Sequence, residues 1–260
     1  MKKNENLAIC VVGNYLYLKR NLSRFINQVR SEGGYKGDIV ILTSKYTPTF
    51  LIKLSNKKNV KYLKFKRIKF DRKTDKSLKE INTLGQPNRH IHKNFQWHKL
   101  HLFDPILKKW DYIFYIDINM TIHKNINPIF KIKPMGCLFA NRDYSDGEHW
   151  DLEGQFDNTH KDFLNLKKSY DLSIKNYFQT GMIFYDTQII ETETKEEIIN
   201  LVKKYPYTRT NEQAIMNLFF IFEKGLFKEL PGEVDGINTY SYWKHDNNTR
   251  ITKQLVKKHK

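Results

Sequence analysis

Between Trp110 and Phe130 the chain reads WDYIFYIDINMTIHKNINPIF. An apolar run delivers Asp117, then one residue, then Asn119, then a second apolar pair around Met120–Ile122. Alternate residues of an extended chain point to the same side, so a strand here puts the Asp117 carboxylate and the Asn119 amide oxygen together. Two such oxygens can hold a hard divalent cation, and a cation so held can bridge two phosphates. A strand ending in an ordinary Asp/Asn turn has the same composition, because both residues close turns with their own side chains. The remaining metal-type residues offer less. Cys10 and Cys137 lie in apolar runs and read as buried thiols of a reducing compartment. His90, His92, His98 and His101 cluster, and His98 and His101 could share a helical face, but no Cys or carboxylate stands at zinc spacing beside them.

The elements that must carry Asp117 alternate strand and helix. Leu7–Gly13 is a short apolar run ending in Gly13-Asn14, which reads as a buried strand and a turn. Leu18, Leu22, Phe25, Ile26 and Val29 follow at helical spacing, and Gly33-Gly34 stops that helix. Strands are expected at 38–43, 60–65, 112–117, 137–140, 181–185 and 227–230. Helices are expected at 95–110, with Leu100, Phe103, Ile106 and Leu107 on the apolar side, and at 192–204 and 211–223. Residues 66–89 read as a polar, irregular loop, and 141–169 as an acidic-aromatic insertion. The alternation predicts an α/β fold with a mostly parallel central sheet flanked by helices. Nothing resembles a linker, so one domain over residues 1–260 is expected. Polar groups at the carboxyl end of a central strand then occupy the ligand crevice of an open α/β sheet.

Composition narrows the partners. Lysine plus arginine outnumber aspartate plus glutamate 45 to 28, a net charge of +17, and the hydrophobic fraction is 40%. The hydrophobic share is that of a folded protein rather than a disordered one. The lysines are scattered, with no dense basic arm, zinc-finger spacing or RRM core, so a specific nucleic-acid partner is not expected, and a basic nucleic-acid-binding protein stands only as a third reading. The field instead suits an anionic substrate such as a nucleotide diphosphate. The apolar stretch Leu7–Val12 is shorter than a signal core, and no run approaches the ~20 residues of a membrane span. Those features predict a cytoplasmic protein without a transmembrane segment. Residues 253–260 read as a frayed basic tail.

Four segments, in order, resemble the glycogenin-like, family 8 glycosyltransferases and their GT-A relatives. ICVVGNYLY (Ile9–Tyr17) resembles the first-strand nucleotide site. WHKLHLF (Trp97–Phe103) resembles the helix that presents a basic residue, here Lys99. The Asp117 segment resembles the strand with the family's Asp-x-Asp. YFQTGMIFYDT (Tyr177–Thr187) and NEQAIMNLFF (Asn211–Phe220) together resemble its sugar-pocket strand and Asp-Gln helix.

The resemblance implies a GT-A (Rossmann-like) fold and transfer of a sugar from a nucleotide donor, a UDP-sugar, to a hydroxyl of a glycan or protein acceptor, with retention. Val11, Gly13, Asn14 and Tyr17 would hold base and ribose, Lys99 and Asp117 the diphosphate. Gln179, Thr180 and Gly181 would line the sugar pocket, with Asp143 binding the sugar. Glu212 and Gln213 would sit beside the anomeric carbon; the same residues also suit a helix N-terminus capped by Asn211. A divalent cation, Mn²⁺ or Mg²⁺, would rest on Asp117, Asn119 and a late histidine, His245. Asn119 replaces the second carboxylate and removes one negative charge. The family's final histidine motif is absent. These departures leave open a catalytically impaired, nucleotide-sugar-binding scaffold. Tyr144, His149, Trp150 and Phe156 are the expected acceptor contacts.

Overall fold

Period-two alternation in the first strand sorts the core into two layers. Ala8, Cys10 and Val12 belong to one hydrophobic cluster, Ile9 and Val11 to the other. The same division holds along the neighbours, Val40 and Leu42 against Ile39 and Ile41, and Ile113 and Tyr115 against Phe114 and Ile116. A strand buried on both faces reads as a continuous apolar run, and such strands belong to a sheet covered on both sides.

The computed structural model describes residues 6–51, 59–83, 93–143, 151–239 and 252–254. Along the chain stand β1 (Leu7–Val12), α1 (Tyr15–Arg30), β2 (Asp38–Ser44), β3 (Val60–Phe65), α2 (Arg72–Thr83), β4 (Tyr112–Ile116), β5 (Met120–Ile122) and β6 (Leu138–Arg142). Then come α3 (Phe163–Ser169), β7 (Phe178–Asp186), α4 (Thr194–Lys204), α5 (Glu212–Asn217), β8 (Phe227–Glu229), β9 (Glu233–Val234), β10 (Ile237–Asn238) and β11 (Thr252–Gln254). Seven strands form the central sheet in the order β3-β2-β1-β4-β7-β6-β8. Within it β7 runs antiparallel to both neighbours, and the other pairings are parallel. The expected mostly parallel α/β architecture is present.

One face of the sheet is covered by α1. Asn14 caps this helix by accepting a hydrogen bond from the Tyr17 N–H at 2.9 Å, and Leu18, Leu22, Phe25, Ile26 and Val29 are its buried stripe. The opposite face is covered by residues 94–109, α4 and α5.

Several expectations need correction. Residues 72–83 are helical rather than loop. Asp71 starts that helix by accepting from the Thr74 N–H and hydroxyl, each at 2.9 Å, and Leu78 and Ile81 bury its one apolar edge. High polarity concealed a short amphipathic helix; residues 84–92 lie outside the described residues. The helix expected over 95–110 is instead two 3₁₀ stretches, Asn94–Phe103 and Pro105–Lys109. Pro105 drives Asp104 into extended backbone and breaks the run. Ile106 is consequently exposed.

The last helix is also different. It starts at Glu212 and passes at Leu218 into a π-helical turn, Leu218–Glu223. Lys253 and Gln254 of the expected tail, with Thr252, pair antiparallel with β5. Cys10 is buried, whereas Cys137 is only half-buried. Phe156 is fully buried, with its ring 6.4 Å from that of Tyr207, and is not available to an acceptor. Tyr144, His149 and Trp150 lie outside the described residues.

Candidate active site

Two adjacent parallel strands, β1 and β4, end at the same edge of the sheet, where open α/β folds place their ligand crevices. After β1 the chain turns at Gly13, whose N–H donates to the Leu42 carbonyl at 3.2 Å and whose carbonyl accepts from the Thr43 hydroxyl at 2.6 Å. A β-carbon at Gly13 would stand 2.9 Å from Leu18 Cδ2, so the turn has little room for a side chain. A cavity of about 270 Å³ opens here. It is lined by Val12, Gly13, Asn14 and Tyr17 from the first strand and helix, by Lys93, Phe95, Gln96 and Lys99, and by Asp117, Ile118 and Asn119. Val11 is the exception among the expected nucleotide residues. Its side chain belongs to the α1 face of the core, and Val12 lines the cavity in its place.

Asp117 and Asn119 do share this cavity, but through a turn rather than through strand alternation. Strand β4 ends at Ile116. The Asp117 N–H donates to the Gly181 carbonyl at 2.8 Å, and its own carbonyl accepts from the Met120 N–H at 2.9 Å, closing the turn. Arg24 on α1 grips the same turn from behind. Its guanidinium donates to the carbonyls of Ile118 at 3.1 Å and Met120 at 3.2 Å, and to the Thr121 hydroxyl at 3.1 Å.

Lys99 is the hub. It is buried, and its Nζ lies 3.1 Å from Asp117 Oδ1 and 3.1 Å from Glu212 Oε1. The ammonium also donates to the Thr180 carbonyl at 3.2 Å and the Thr180 hydroxyl at 3.3 Å. It sits 5.5 Å above the ring of Tyr115, whose hydroxyl donates to Asp117 Oδ1. Burial alone would drive Lys99 toward neutrality, but the carboxylates of Asp117 and Glu212 outweigh it and hold its pKa above the usual lysine value. The group is a fixed internal cation.

Thr180 links this hub to a second cluster. Its N–H donates to Gln213 Oε1 at 3.2 Å, and its hydroxyl donates to Glu212 Oε1 at 3.2 Å. Gln213 Nε2 in turn donates to Asp143 Oδ2 at 2.7 Å and to Gln155 Oε1 at 3.0 Å, and Gln155 Nε2 donates to Asp143 Oδ2 at 3.3 Å. Burial raises the Asp143 pKa, while the Gln213 and Gln155 amides pull it partly back. Gln179 Nε2 and Glu212 Oε2 are buried and find no hydrogen-bond partner among the described residues. A β-carbon at Gly181 would stand 2.8 Å from Gln179 Oε1, so glycine gives the Gln179 amide its place. The expected donor and sugar residues other than Val11 therefore form one connected set.

Glycosyl transferase family 8 matches residues 6–258. The chain belongs to this family. No curated protein matches the sequence. Solved structures with the same fold include the galactosyltransferase LgtC in complex with donor and acceptor sugar analogs, at 14% identity and a TM-score of 0.55 over 86% of this chain and 73% of that one. The mannosyltransferase Ktr4p from S. cerevisiae in complex with GDP aligns at 12% identity and a TM-score of 0.54, over 87% and 69%. GlyE from Streptococcus pneumoniae aligns at 14% identity and 0.52, over 88% and 46%. The fold is GT-A, and this family 8 chain is a glycosyltransferase.

Family 8 enzymes of the GT-A fold generally use a divalent cation. The described residues supply Asp117 and Asn119 in one cavity, and among them no group of three His, Cys, Asp or Glu side chains converges. His245 lies outside the described residues. Asp117 Oδ1 already accepts from Lys99 and Tyr115. Asp117 and Asn119 would be the residues to hold such a cation, with one carboxylate charge between them. Among the described residues no helix is long and apolar enough to cross a membrane.

Four further residues of this cluster carry no signal in the sequence. Gln155 lay inside an apparent insertion, with no motif around it. Gln96 and Tyr115 adjoin recognised residues, but nothing in their spacing marked them. Arg24 acts from the polar side of a helix whose apolar stripe was the only visible signal.

Proposed function

We propose that the chain moves a glycosyl group from a UDP-sugar to an acceptor hydroxyl with retention at the anomeric carbon. Gly13, Asn14 and Tyr17, with Val12, hold base and ribose. Lys99 and Asp117 face the diphosphate. The observation that carries this reading is that these residues line one cavity and join, through Thr180, to Gln213 and Asp143. Charge that develops on a departing diphosphate is stabilised by a cation already in position, without reorganisation at the moment of reaction. Lys99 is such a cation. Mn²⁺ or Mg²⁺ on Asp117 and Asn119 would add Lewis-acid neutralisation of the same phosphates.

On the sugar side, Asp143 accepts from a sugar hydroxyl, and the free Gln179 Nε2 and Glu212 Oε2 provide one further donor and one further acceptor. Glu212 and Gln213 border the anomeric carbon. Holding an acceptor oxygen at that carbon converts a bimolecular step into a nearly intramolecular one. The acceptor is a glycan or a protein hydroxyl.

A panel of UDP-, GDP- and dTDP-sugars tests the reading, each with and without Mn²⁺ or Mg²⁺, followed by thermal unfolding and by release of free nucleotide. A UDP-sugar should raise Tm and release UDP. An unchanged Tm with every donor, and no nucleotide release, would sink the proposal.

A further inference from the structure

Asn211 stands immediately before Glu212 and is fully buried. Its backbone holds φ +53° and ψ −120°, a conformation that side-chain-bearing residues rarely adopt. The expected reason for an asparagine here is to cap α5, yet its side chain makes no capping bond. It bridges two other elements instead. Asn211 Oδ1 accepts from Asn82 Nδ2 of α2 at 3.0 Å, and Asn211 Nδ2 donates to Gln96 Oε1 at 2.7 Å. Gln96 lines the nucleotide cavity. Three residues on from Gln96 is Lys99, which pairs with Glu212.

Two side-chain links thus run from Gln96 and Lys99 on the cavity wall to the start of α5. One is the ion pair from Lys99 to Glu212, which belongs to the site already described. The other runs from Gln96 to Asn211, and it ends on the residue whose unusual backbone aims Glu212 and Gln213. Such backbone conformations persist only where the surroundings over-determine them. Here the surroundings include two hydrogen bonds between the Asn211 amide and separate elements.

We propose that Asn211 is a positioning residue. By tying the strained entry of α5 to Gln96, it holds Glu212 and Gln213 in register with whatever fills the nucleotide cavity. The inference rests on the nucleotide-sugar reading and deepens it. Nucleotide binding needs the cavity wall alone, whereas turnover needs the wall and α5 in a fixed relation. Loss of the bridge therefore spares affinity and costs rate.

Asn211→Gly is the discriminating variant, because glycine adopts this backbone freely while removing both side-chain hydrogen bonds. UDP affinity by calorimetry should stay within about threefold of wild type, whereas kcat for UDP release from a UDP-sugar should fall by about tenfold or more, with donor KM changing less. Asn211→Asp keeps the acceptor for Asn82 and lets Gln96 turn its amide to donate, so it should recover part of kcat. Asn82→Ala, at the far end of the bridge, gives a second route if Asn211→Gly does not fold, and should lower kcat in the same direction by about threefold. Turnover of Asn211→Gly within about twofold of wild type would overturn the inference, as would a loss confined to KM or matched by lost UDP affinity. Unchanged kcat in Asn82→Ala would overturn it equally. Wild-type protein that neither binds UDP nor releases it from any donor would overturn the nucleotide-sugar reading as well, which separates the two failures.

Discussion

At Lys99, one ammonium is shared by Asp117, Glu212 and Thr180 in a buried position. Lys99→Met keeps the stem and deletes the charge, leaving Glu212 buried beside Asp117 without its cation. Breaking a buried pair from one side costs about 3–5 kcal/mol, so urea unfolding should show a loss of that order together with abolished turnover. Asp143 makes a second case. Its raised pKa means that the folded protein takes up its proton above the ordinary aspartate value, and protonation turns a hydroxyl acceptor into a donor. Activity should therefore fall on the acid side as pH drops through that raised value. Gln155→Leu removes one of the two amide donors that favour the charged form, so the acid limb of kcat/KM should move to higher pH. A limb that stays in place would show that Gln155 does not act on Asp143. Residue type and spacing singled out Asp117, whereas Lys99 and Gln213 were reached through the resemblance of ordered segments to family 8. Gln155 and the bridging role of Asn211 were not legible, because their partners lie 12 to 129 residues away and no local pattern encodes those contacts.

The segment Asn94–Phe103 shows what an element adds to its residues. It is buried from Trp97 to Phe103, and it presents Gln96 and Lys99 to the cavity. His98 and His101 are buried in it as well. Their rings lie 4.1 Å from Phe95 and 4.2 Å from Phe65, stacked nearly parallel. Burial, with Arg67 nearby, pushes His98 down to about 4; burial, with His98 and Lys195 nearby, pushes His101 down to about 3. Both are neutral in the fold, while the unfolded chain binds their protons near the ordinary histidine value. Their contribution is thus complete above about pH 6.5 and fades as pH falls toward 4 and 3. Replacing both with Phe should move the acid-unfolding midpoint to lower pH; an unchanged midpoint would place the acid sensitivity elsewhere. Elements whose burial is two-faced and period-two, such as β1, β2 and β4, were readable from sequence. The 94–109 stretch was misread because Pro105 breaks it and the apolar spacing does not distinguish α from 3₁₀. Helix α2 was misread because only Leu78 and Ile81 mark its buried edge among many charges.

Across the whole molecule, the sheet order brings the carboxyl ends of β1 and β4 side by side, and the other site residues arrive from α1, the 93–103 segment, the end of β6, the turn Leu152–Gln155, β7 and α5. The net charge of +17 favours approach of an anionic donor to the molecule. The parallel architecture was legible in the strand–helix alternation, and the family in four ordered segments. The central claim is that Asp117 sits at the floor of one donor cleft. Calorimetric titration of UDP in the presence of Mn²⁺ into wild type and Asp117→Asn tests it most directly. Wild type should bind with saturable 1:1 stoichiometry, and the isosteric variant should lose about tenfold or more in affinity, because one charged oxygen is removed from the cation and from Lys99. Equal affinities in the two proteins, or no UDP binding by wild type, would contradict the account.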